Sequence, residues 1–228
     1  MQKHIETIEG RECTLFTAEN PRCLLIQPVD DHDLEGTDRE VSLIGSSSRP
    51  AFALCAFRVA NWNTELSPWD APPVFGNETF GHGAPDTLKW IENCLLPALI
   101  SRWSLPDNTP VILGGYSLAG LFALWSAYET DRFSATACAS PSVWFPGWIE
   151  YAEKRSVRTG TVYLSLGDRE EKTRNPVMAR VGECVRRQHQ LFTRPEQSIK
   201  CTLEWNEGNH FREPDVRTAR AFAWCMEK

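Results

Sequence analysis

Apolar and polar residues alternate along the chain in two patterns. Nearly continuous apolar runs over residues 51–59 and 110–114 are typical of strands buried on both faces of a parallel sheet. Apolar residues close to a 3.6-residue period predict helices over residues 87–103, with a kink at Pro97, and over residues 118–128. Strands that alternate with helices in this way predict an α/β fold.

The remaining runs extend this pattern over the whole chain. They predict strands at residues 4–8, 12–16, 22–27, 133–139, 161–166 and 201–205, and helices at residues 38–44, 177–191 and 215–226. We therefore expect a single domain, residues 1–228, with a mostly parallel, twisted sheet, helices on both faces and short antiparallel strands at its start. Only about twenty residues separate the strands at 133–139 and 161–166, too few for a large cap domain. The long segment 60–85 is predicted to be a functional loop.

Composition excludes several classes of protein. Thirty acidic residues against 24 basic ones give a net charge of −6, and the sequence has no basic stripe of the kind that binds nucleic acid or anionic membranes. No run reaches 18 consecutive apolar residues, and the first ten residues are too polar for a signal peptide. The eight cysteines form neither C-x-x-C pairs nor zinc-finger spacings. We expect reduced thiols, a cytoplasmic location and no metal or cofactor.

A candidate nucleophile, Ser117, lies in the segment VILGGYSLAG, residues 111–120. A nucleophile elbow requires a buried strand, a sharp turn carrying the serine and an immediate helix, with very small residues two positions to either side. Gly115 and Ala119 meet the size requirement, although Ala119 departs from the usual G-x-S-x-G pattern. The alternative is that Ser117 only caps the helix.

A candidate general base follows from chain order. In a hydrolase built on such an elbow, the acid and then the histidine come after the serine. His4, His32 and His82 precede Ser117, and His189 falls inside a predicted helix. His210 follows the last predicted strand and precedes the last helix, which is where the base is expected.

The candidate acid lies after the strand at residues 161–166. Three carboxylates, Asp168, Glu170 and Glu171, fall within four positions there. The acid should hold the imidazole in one tautomer and stabilise the imidazolium. Spacing alone leaves all three open.

These residues resemble the putative-esterase branch of the α/β-hydrolases, which includes siderophore (enterochelin-type) esterases, feruloyl esterases and S-formylglutathione hydrolase. Further motifs similar to that branch are Glu65-Leu66-Ser67-Pro68, Phe80-Gly81-His82-Gly83-Ala84, Ser140-Pro141-Ser142-Val143-Trp144 and Gly208-Asn209-His210-Phe211. The resemblance implies an α/β-hydrolase fold and selects Glu170 as the acid, with Asp168 and Glu171 as alternatives. It also implies backbone oxyanion donors at Leu118 and around Asn61 and Trp62.

The function that these residues indicate is hydrolysis of a small-molecule carboxylic ester through an acyl-enzyme on Ser117. Aromatic residues beside the predicted site are expected to bind the substrate: Trp62, Trp69, Tyr116, Trp144 and Trp148. Two alternatives use the same fold. One is a weak or inactive hydrolase-like protein that only binds a ligand, and the other is an acyltransferase with the same triad.

Overall fold

Eight strands form one sheet in the computed structural model, which describes residues 1–48, 50–194, 197 and 199–227. The sheet order is β1-β2-β4-β3-β5-β6-β7-β8. In chain order the strands are β1 (Gln2–Ile8), β2 (Arg11–Thr17), β3 (Cys23–Val29), β4 (Phe52–Arg58), β5 (Val111–Tyr116), β6 (Ala135–Ala139), β7 (Thr161–Gly167) and β8 (Lys200–Asn206).

The pairing is antiparallel at one edge and parallel elsewhere. β1 pairs with β2 as a hairpin, and β2 runs antiparallel to β4. From β4 through β8 every pairing is parallel. β3, predicted from its sequence as the third of the short opening strands, lies between β4 and β5 and is buried along its whole length.

Helices cover both faces of the sheet, as predicted. They are α1 (Asp31–Ser47), α2 (Trp62–Glu65), α3 (Ala84–Trp90), α4 (Leu96–Trp103), α5 (Ser117–Glu129), α6 (Trp148–Glu153), α7 (Val181–Phe192) and α8 (Pro214–Met226). α1 and α8 pack against each other and contribute to the apolar core on one face, whereas α3 to α7 contribute to the core on the other. The connection between β6 and β7 holds the short helix α6 and no large cap.

Two helices differ from the sequence prediction. α1 begins at residue 31 rather than 38 because the Asp30 side chain accepts the Asp33 N–H and caps it, although its first turns are too polar to show an apolar period. The helix around Pro97 is continuous but passes through a π-helical turn, Ile91–Leu95, just before the proline, which lacks an amide donor. Among the described residues, none of the helices combines the length and apolar character needed to cross a bilayer.

Candidate active site

Ser117 lies at the sharp turn between β5 and α5. Its backbone adopts the left-handed conformation, with φ 57°, which non-glycine residues rarely occupy. A Cβ built on Gly115 would lie 2.6 Å from the Ala119 Cβ, so the strand and the helix pass in near contact. The methyl group of Ala119 fits because Gly115 has no side chain. The departure from the G-x-S-x-G pattern is therefore sterically compatible with the elbow.

Ser117, His210 and Glu170 form one hydrogen-bonded chain. The Ser117 Oγ lies 3.0 Å from the His210 Nε2, and the His210 Nδ1 lies 2.7 Å from the Glu170 Oε2. One tautomer satisfies both contacts, with Nδ1–H donating to the carboxylate and Nε2 accepting from the serine hydroxyl. This is the geometry that a serine nucleophile, its base and an orienting acid require.

The second oxygen of Glu170 is held by three donors. The Oε1 accepts from the Gly167 N–H at 2.7 Å, the Ser140 hydroxyl at 2.8 Å and the Arg217 Nη1 at 2.9 Å. Burial opposes ionisation of Glu170, but the hydrogen bond and charge of His210, with the bonds from Gly167 and Ser140, outweigh it and lower the pKa of the carboxyl. A Cβ at Gly167 would come within 2.9 Å of the Oε1, so this close approach requires glycine.

Arg217 on α8 connects the acid to the loop that carries the base. The side chain is 2% exposed. Besides Glu170, its guanidinium contacts the Tyr116 hydroxyl at 3.0 Å and the Ser140 hydroxyl at 3.2 Å, and it donates to the Glu207 and Asn209 carbonyls at 3.1 Å. Arg217 was not among the residues predicted from the sequence. The available signal was its position four residues before Ala221, on the buried face of α8.

The other two carboxylates of the predicted trio have different partners. Asp168 is exposed and accepts the Gly208 N–H at 2.7 Å, which stabilises the start of the His210 loop. Glu171 forms an ion pair with Arg186 on α7 at 2.8 Å. Glu170 is the one that the 3₁₀ turn Glu170–Lys172 directs inward to His210.

Ser142 is a second hydroxyl beside the candidate nucleophile. Its Oγ lies 3.3 Å from the Ser117 Oγ, and its N–H donates to the Ser117 carbonyl at 3.0 Å. The loop after β6 therefore holds the elbow through backbone as well as side-chain contacts. The sequence motif at residues 140–144 indicated this loop but not this contact.

The predicted second oxyanion donors, Asn61 and Trp62, are not supported by the structure. The Asn61 N–H already donates to the Glu65 Oε1 at 2.8 Å. Trp62 borders a different cleft, together with Arg11 and Arg58. Both residues follow β4, and β3 separates β4 from the elbow strand β5.

The strand that lies beside β5 on the side of β4 is β3, so its carboxyl-terminal end is the one next to the elbow. Where a nucleophile elbow carries out acyl transfer, the second oxyanion donor comes from the connection between the corresponding strand and its helix. In this chain that connection is Asp30, the N-cap of α1, followed by Asp31, the first residue of the helix. Leu118, the other predicted donor, is the second residue of α5, directly after Ser117.

Two of the predicted substrate-binding aromatic residues are structural. Trp148 is wholly buried and donates from its Nε1 to the Gln188 Oε1 at 2.9 Å, so the prediction that it contacts substrate is wrong. Trp69 stacks on Trp148 with ring centroids 6.5 Å apart, and its Nε1 donates to the Pro146 carbonyl at 2.8 Å. Both rings belong to the packing between the long loop and α6.

Tyr116 directly precedes Ser117 in the chain, and Trp144 belongs to the loop that holds Ser142. Burial, reinforced by the Glu170 carboxylate, raises the pKa of Tyr116 to about 12, and its hydroxyl donates to the His210 carbonyl at 2.6 Å. Trp144, two residues after Ser142, is largely buried against Phe75 and Phe80. Tyr116 therefore positions the base loop through its hydroxyl, and the residue borders a cleft.

The other nucleophilic and metal-binding side chains lie outside this arrangement. All eight cysteines are free thiols, and six of them are buried. In the described part of the chain, no three His, Cys, Asp or Glu side chains converge as a metal site would require. His82 forms an exposed pair with Asp70 at 2.9 Å.

Solved structures provide the comparison that decides the fold. An IroE-like serine hydrolase from Shewanella oneidensis matches with a TM-score of 0.79 at 18% identity, over 98% of this chain and 79% of that one. The siderophore hydrolase EstB from Aspergillus nidulans matches with a TM-score of 0.70 at 17% identity, over 97% and 93% of the two chains. The fold is the α/β-hydrolase fold. The sequence-based prediction of this fold is confirmed.

A third match is longer than this chain. The enterobactin esterase FES from Shigella flexneri has a TM-score of 0.69 at 16% identity, and the match covers 99% of this chain but 59% of the esterase. The sequence itself matches no protein-family model, and no curated protein is similar enough to count as a match. At these identities the structural likeness establishes the fold alone. The evidence for a reaction comes from the contacts of Ser117, His210 and Glu170 in this chain.

Proposed function

We propose that the protein is a serine hydrolase that cleaves carboxylic esters through an acyl-enzyme on Ser117. The observation that carries the proposal is the hydrogen-bonded chain from Ser117 through His210 to Glu170, with the serine at a left-handed turn. The serine hydrolase, siderophore hydrolase and enterobactin esterase that share its fold support an ester as the substrate class.

In the proposed first step, the His210 Nε2 takes the proton of Ser117 as the Oγ attacks the ester carbonyl. Glu170 holds the imidazole in the productive tautomer and stabilises the imidazolium that forms. His210 then returns the proton to the leaving alcohol, which departs and leaves the acyl group on the Ser117 Oγ. Water, activated by His210 in turn, hydrolyses the acyl-enzyme and regenerates the serine.

The oxyanion of each tetrahedral intermediate needs donors that are already in place. The Leu118 N–H, at the start of α5, is the first, and an N–H of the loop at Asp30 and Asp31 is the second. The positive end of the α5 dipole supports the same charge. Loss of one such donor costs about 3–4 kcal/mol of barrier.

The proposed ligand is a small-molecule ester, and the proposed reaction needs no metal or cofactor. The free thiols favour a reducing compartment such as the cytoplasm.

A panel of nitrophenyl esters of increasing acyl length tests this function. We expect turnover by the unmodified protein and loss of turnover in Ser117→Ala. Ser46→Ala, which removes an exposed hydroxyl on α1, is the matched control and should retain turnover. A folded protein that hydrolyses none of the esters would contradict the proposal and favour the ligand-binding alternative. Product analysis with an added alcohol acceptor separates hydrolysis from acyl transfer.

A further inference from the structure

Ser142 places a second hydroxyl against the proposed nucleophile. Its Oγ lies 3.3 Å from the Ser117 Oγ, and the residue is 2% exposed. In the part of the chain that the structure describes, the Ser117 Oγ is the hydrogen-bond partner of the Ser142 hydroxyl. The proposed mechanism, which uses Ser117, His210 and Glu170, leaves this hydroxyl without a part. What it does beside the reacting oxygen depends on which of the two hydroxyls donates.

The hydrogen-bonded chain through His210 makes Ser142 the donor of this pair. A hydroxyl has one hydrogen, and that of Ser117 is directed to the His210 Nε2 at 3.0 Å. Glu170 selects the tautomer that accepts it, because the His210 Nδ1–H donates to the carboxylate at 2.7 Å. The Ser117 Oγ can therefore only accept from Ser142. The Ser142 O–H points at the oxygen whose bonds change in the proposed reaction.

Close packing of the loop after β6 on α5 fixes the position of Ser142. The Ser142 N–H donates to the Ser117 carbonyl at 3.0 Å. A Cβ built on Gly120 of α5 would lie 3.1 Å from the Ala139 carbonyl oxygen and 3.2 Å from the Pro141 Cα. The helix and the loop therefore touch directly, so the hydroxyl is in place before any substrate binds.

Ser140 fixes the same loop from the side of the proposed acid. Its backbone is left-handed, with φ 41°, and the residue is 1% exposed. Strain of this kind persists only where the surroundings hold it in place. The Ser140 hydroxyl supplies one such hold, since it donates to the Glu170 Oε1 at 2.8 Å. The loop thus contacts the acid through Ser140 and the nucleophile through Ser142.

The charge on the Ser117 Oγ determines when the Ser142 hydrogen bond is strongest. At 3.3 Å the bond is weak in the resting protein, because hydroxyl groups usually bond at about 2.5–3.0 Å. Hydrogen bonds to charged acceptors are shorter and about twice as strong, and catalytic ones often tighten only as the transition state forms. Each transition state places negative charge on the Oγ, so the bond lowers the barrier.

Deacylation should depend on this hydrogen bond more than acylation does. In the acyl-enzyme the Ser117 Oγ is an ester oxygen, whose lone pair is delocalised into the carbonyl group and which accepts hydrogen bonds poorly. Water attacks the acyl carbon as the His210 Nε2 takes its proton. The bond between that carbon and the Oγ then breaks, its electron pair stays on the Oγ, and the Nε2 proton passes to the Oγ. Ser142 keeps its own hydrogen throughout.

We propose that Ser142 is a catalytic residue whose hydroxyl stabilises the Ser117 Oγ as the leaving group of deacylation. This inference rests on the proposed ester hydrolysis, because it concerns the second step of the same acyl-enzyme pathway. It adds one side chain to the chain of Ser117, His210 and Glu170.

The lifetime of the butyryl-enzyme tests this role. The protein is mixed with nitrophenyl butyrate in a quenched-flow apparatus, loss of the butyryl adduct is followed by intact-protein mass spectrometry, and kcat/KM reports acylation. Ser142→Ala removes the hydroxyl and keeps the backbone N–H that contacts Ser117. We expect it to slow adduct loss by about ten-fold, equivalent to about 1.4 kcal/mol of barrier, and to lower kcat/KM by no more than about three-fold.

Two further variants separate the hydrogen bond from packing. Ser142→Cys fills the same space with a weak donor, so adduct loss should stay slow. Recovery of fast adduct loss in this variant would assign the effect to packing and overturn the proposal. Ser126→Ala is the matched control, since it removes a buried hydroxyl of α5 that donates to the Phe122 carbonyl. It should change neither adduct loss nor kcat/KM.

The same measurements distinguish failure of the Ser142 role from failure of the hydrolase. Adduct loss from Ser142→Ala at the unmodified rate would overturn the role of Ser142 and leave the hydrolase intact. A kcat/KM that falls as far as the rate of adduct loss would also overturn it, because a displaced elbow impairs the attack by Ser117 as well. An unmodified, folded protein that forms no adduct and turns over no ester would remove the hydrolase and the role of Ser142 together.

Discussion

The guanidinium of Arg217 lies 2.9 Å from the Glu170 Oε1, and His210 contacts the opposite carboxylate oxygen at 2.7 Å. Arg217 therefore fixes the orientation of Glu170 through the oxygen that faces away from His210. It also holds the loop that carries His210, by donating to the Asn209 carbonyl. A single buried side chain thus positions both the proposed acid and the loop of the proposed base.

Replacement of Arg217 by methionine should remove this support. Because the Glu170 charge would then lose a buried partner, we expect the free energy of unfolding to fall by about 3–5 kcal/mol. We also expect kcat of the folded enzyme to fall with little change in KM, measured well below the midpoint of thermal unfolding. Arg217→Lys, which keeps the charge, should recover part of kcat. An unchanged kcat in folded Arg217→Met would reduce Arg217 to a purely structural residue.

Glu170→Gln tests the choice among the three carboxylates. Three donors surround the Oε1 position, so the glutamine oxygen should lie there and its NH₂ should face the His210 Nδ1. Because that NH₂ donates and cannot accept, it favours the wrong tautomer, and kcat should fall by about 10⁴-fold. Asp168→Asn and Glu171→Gln are the matched controls. Their partners are Gly208 and Arg186, so we expect effects on kcat well below that of Glu170→Gln. A larger loss in either control would move the acid to that position.

The sequence predicted most strands and helices because the buried runs and helical periods are long. From the residues alone, the acid could be any of three carboxylates. The direction of each side chain depends on the 3₁₀ turn Glu170–Lys172, and sequence spacing does not reveal that turn. The sequence led us to expect the second oxyanion donor after β4, whereas the proposed mechanism takes it from the connection after β3. Sheet order decides that β3, not β4, lies beside β5, and this order arises from pairing between distant segments.

The packing of the elbow provides a test with its own control. Gly115→Ala would place a Cβ 2.6 Å from that of Ala119, so we expect about 1–3 kcal/mol of destabilisation and a loss of ester turnover. Ala119→Gly restores the usual motif and should retain turnover, at a cost of about 1 kcal/mol or less in helix propensity. Thermal unfolding and nitrophenyl ester hydrolysis measure the two effects. Full activity in Gly115→Ala would show that the elbow is looser than described.

Asp33 should make stability depend on pH. Burial, reinforced by the nearby Asp30 carboxylate, raises the pKa of Asp33 to about 6 from its ordinary value of 3.8. Folding therefore favours its protonated form. The associated stability is fully present below the ordinary pKa and is lost as the pH rises through about 6.

Asp33→Asn, which cannot ionise, isolates this contribution. The gain in unfolding temperature relative to the unmodified protein should be larger at about pH 8 than at about pH 4.5, because the unmodified carboxyl is ionised only at the higher value. Groups that do not interact with Asp33 titrate alike in both proteins and cancel in the difference. A gain that is equal at the two pH values, or larger in acid, would contradict the assignment.

The central claim is that Ser117 is the nucleophile, and covalent labelling measures it most directly. The folded protein is incubated with a fluorophosphonate, and the modified peptide is identified by mass spectrometry. We predict one adduct per chain, located on Ser117 and absent from Ser117→Ala, with much slower labelling in His210→Ala. No adduct on the folded protein, or an adduct that persists in Ser117→Ala, would contradict the account.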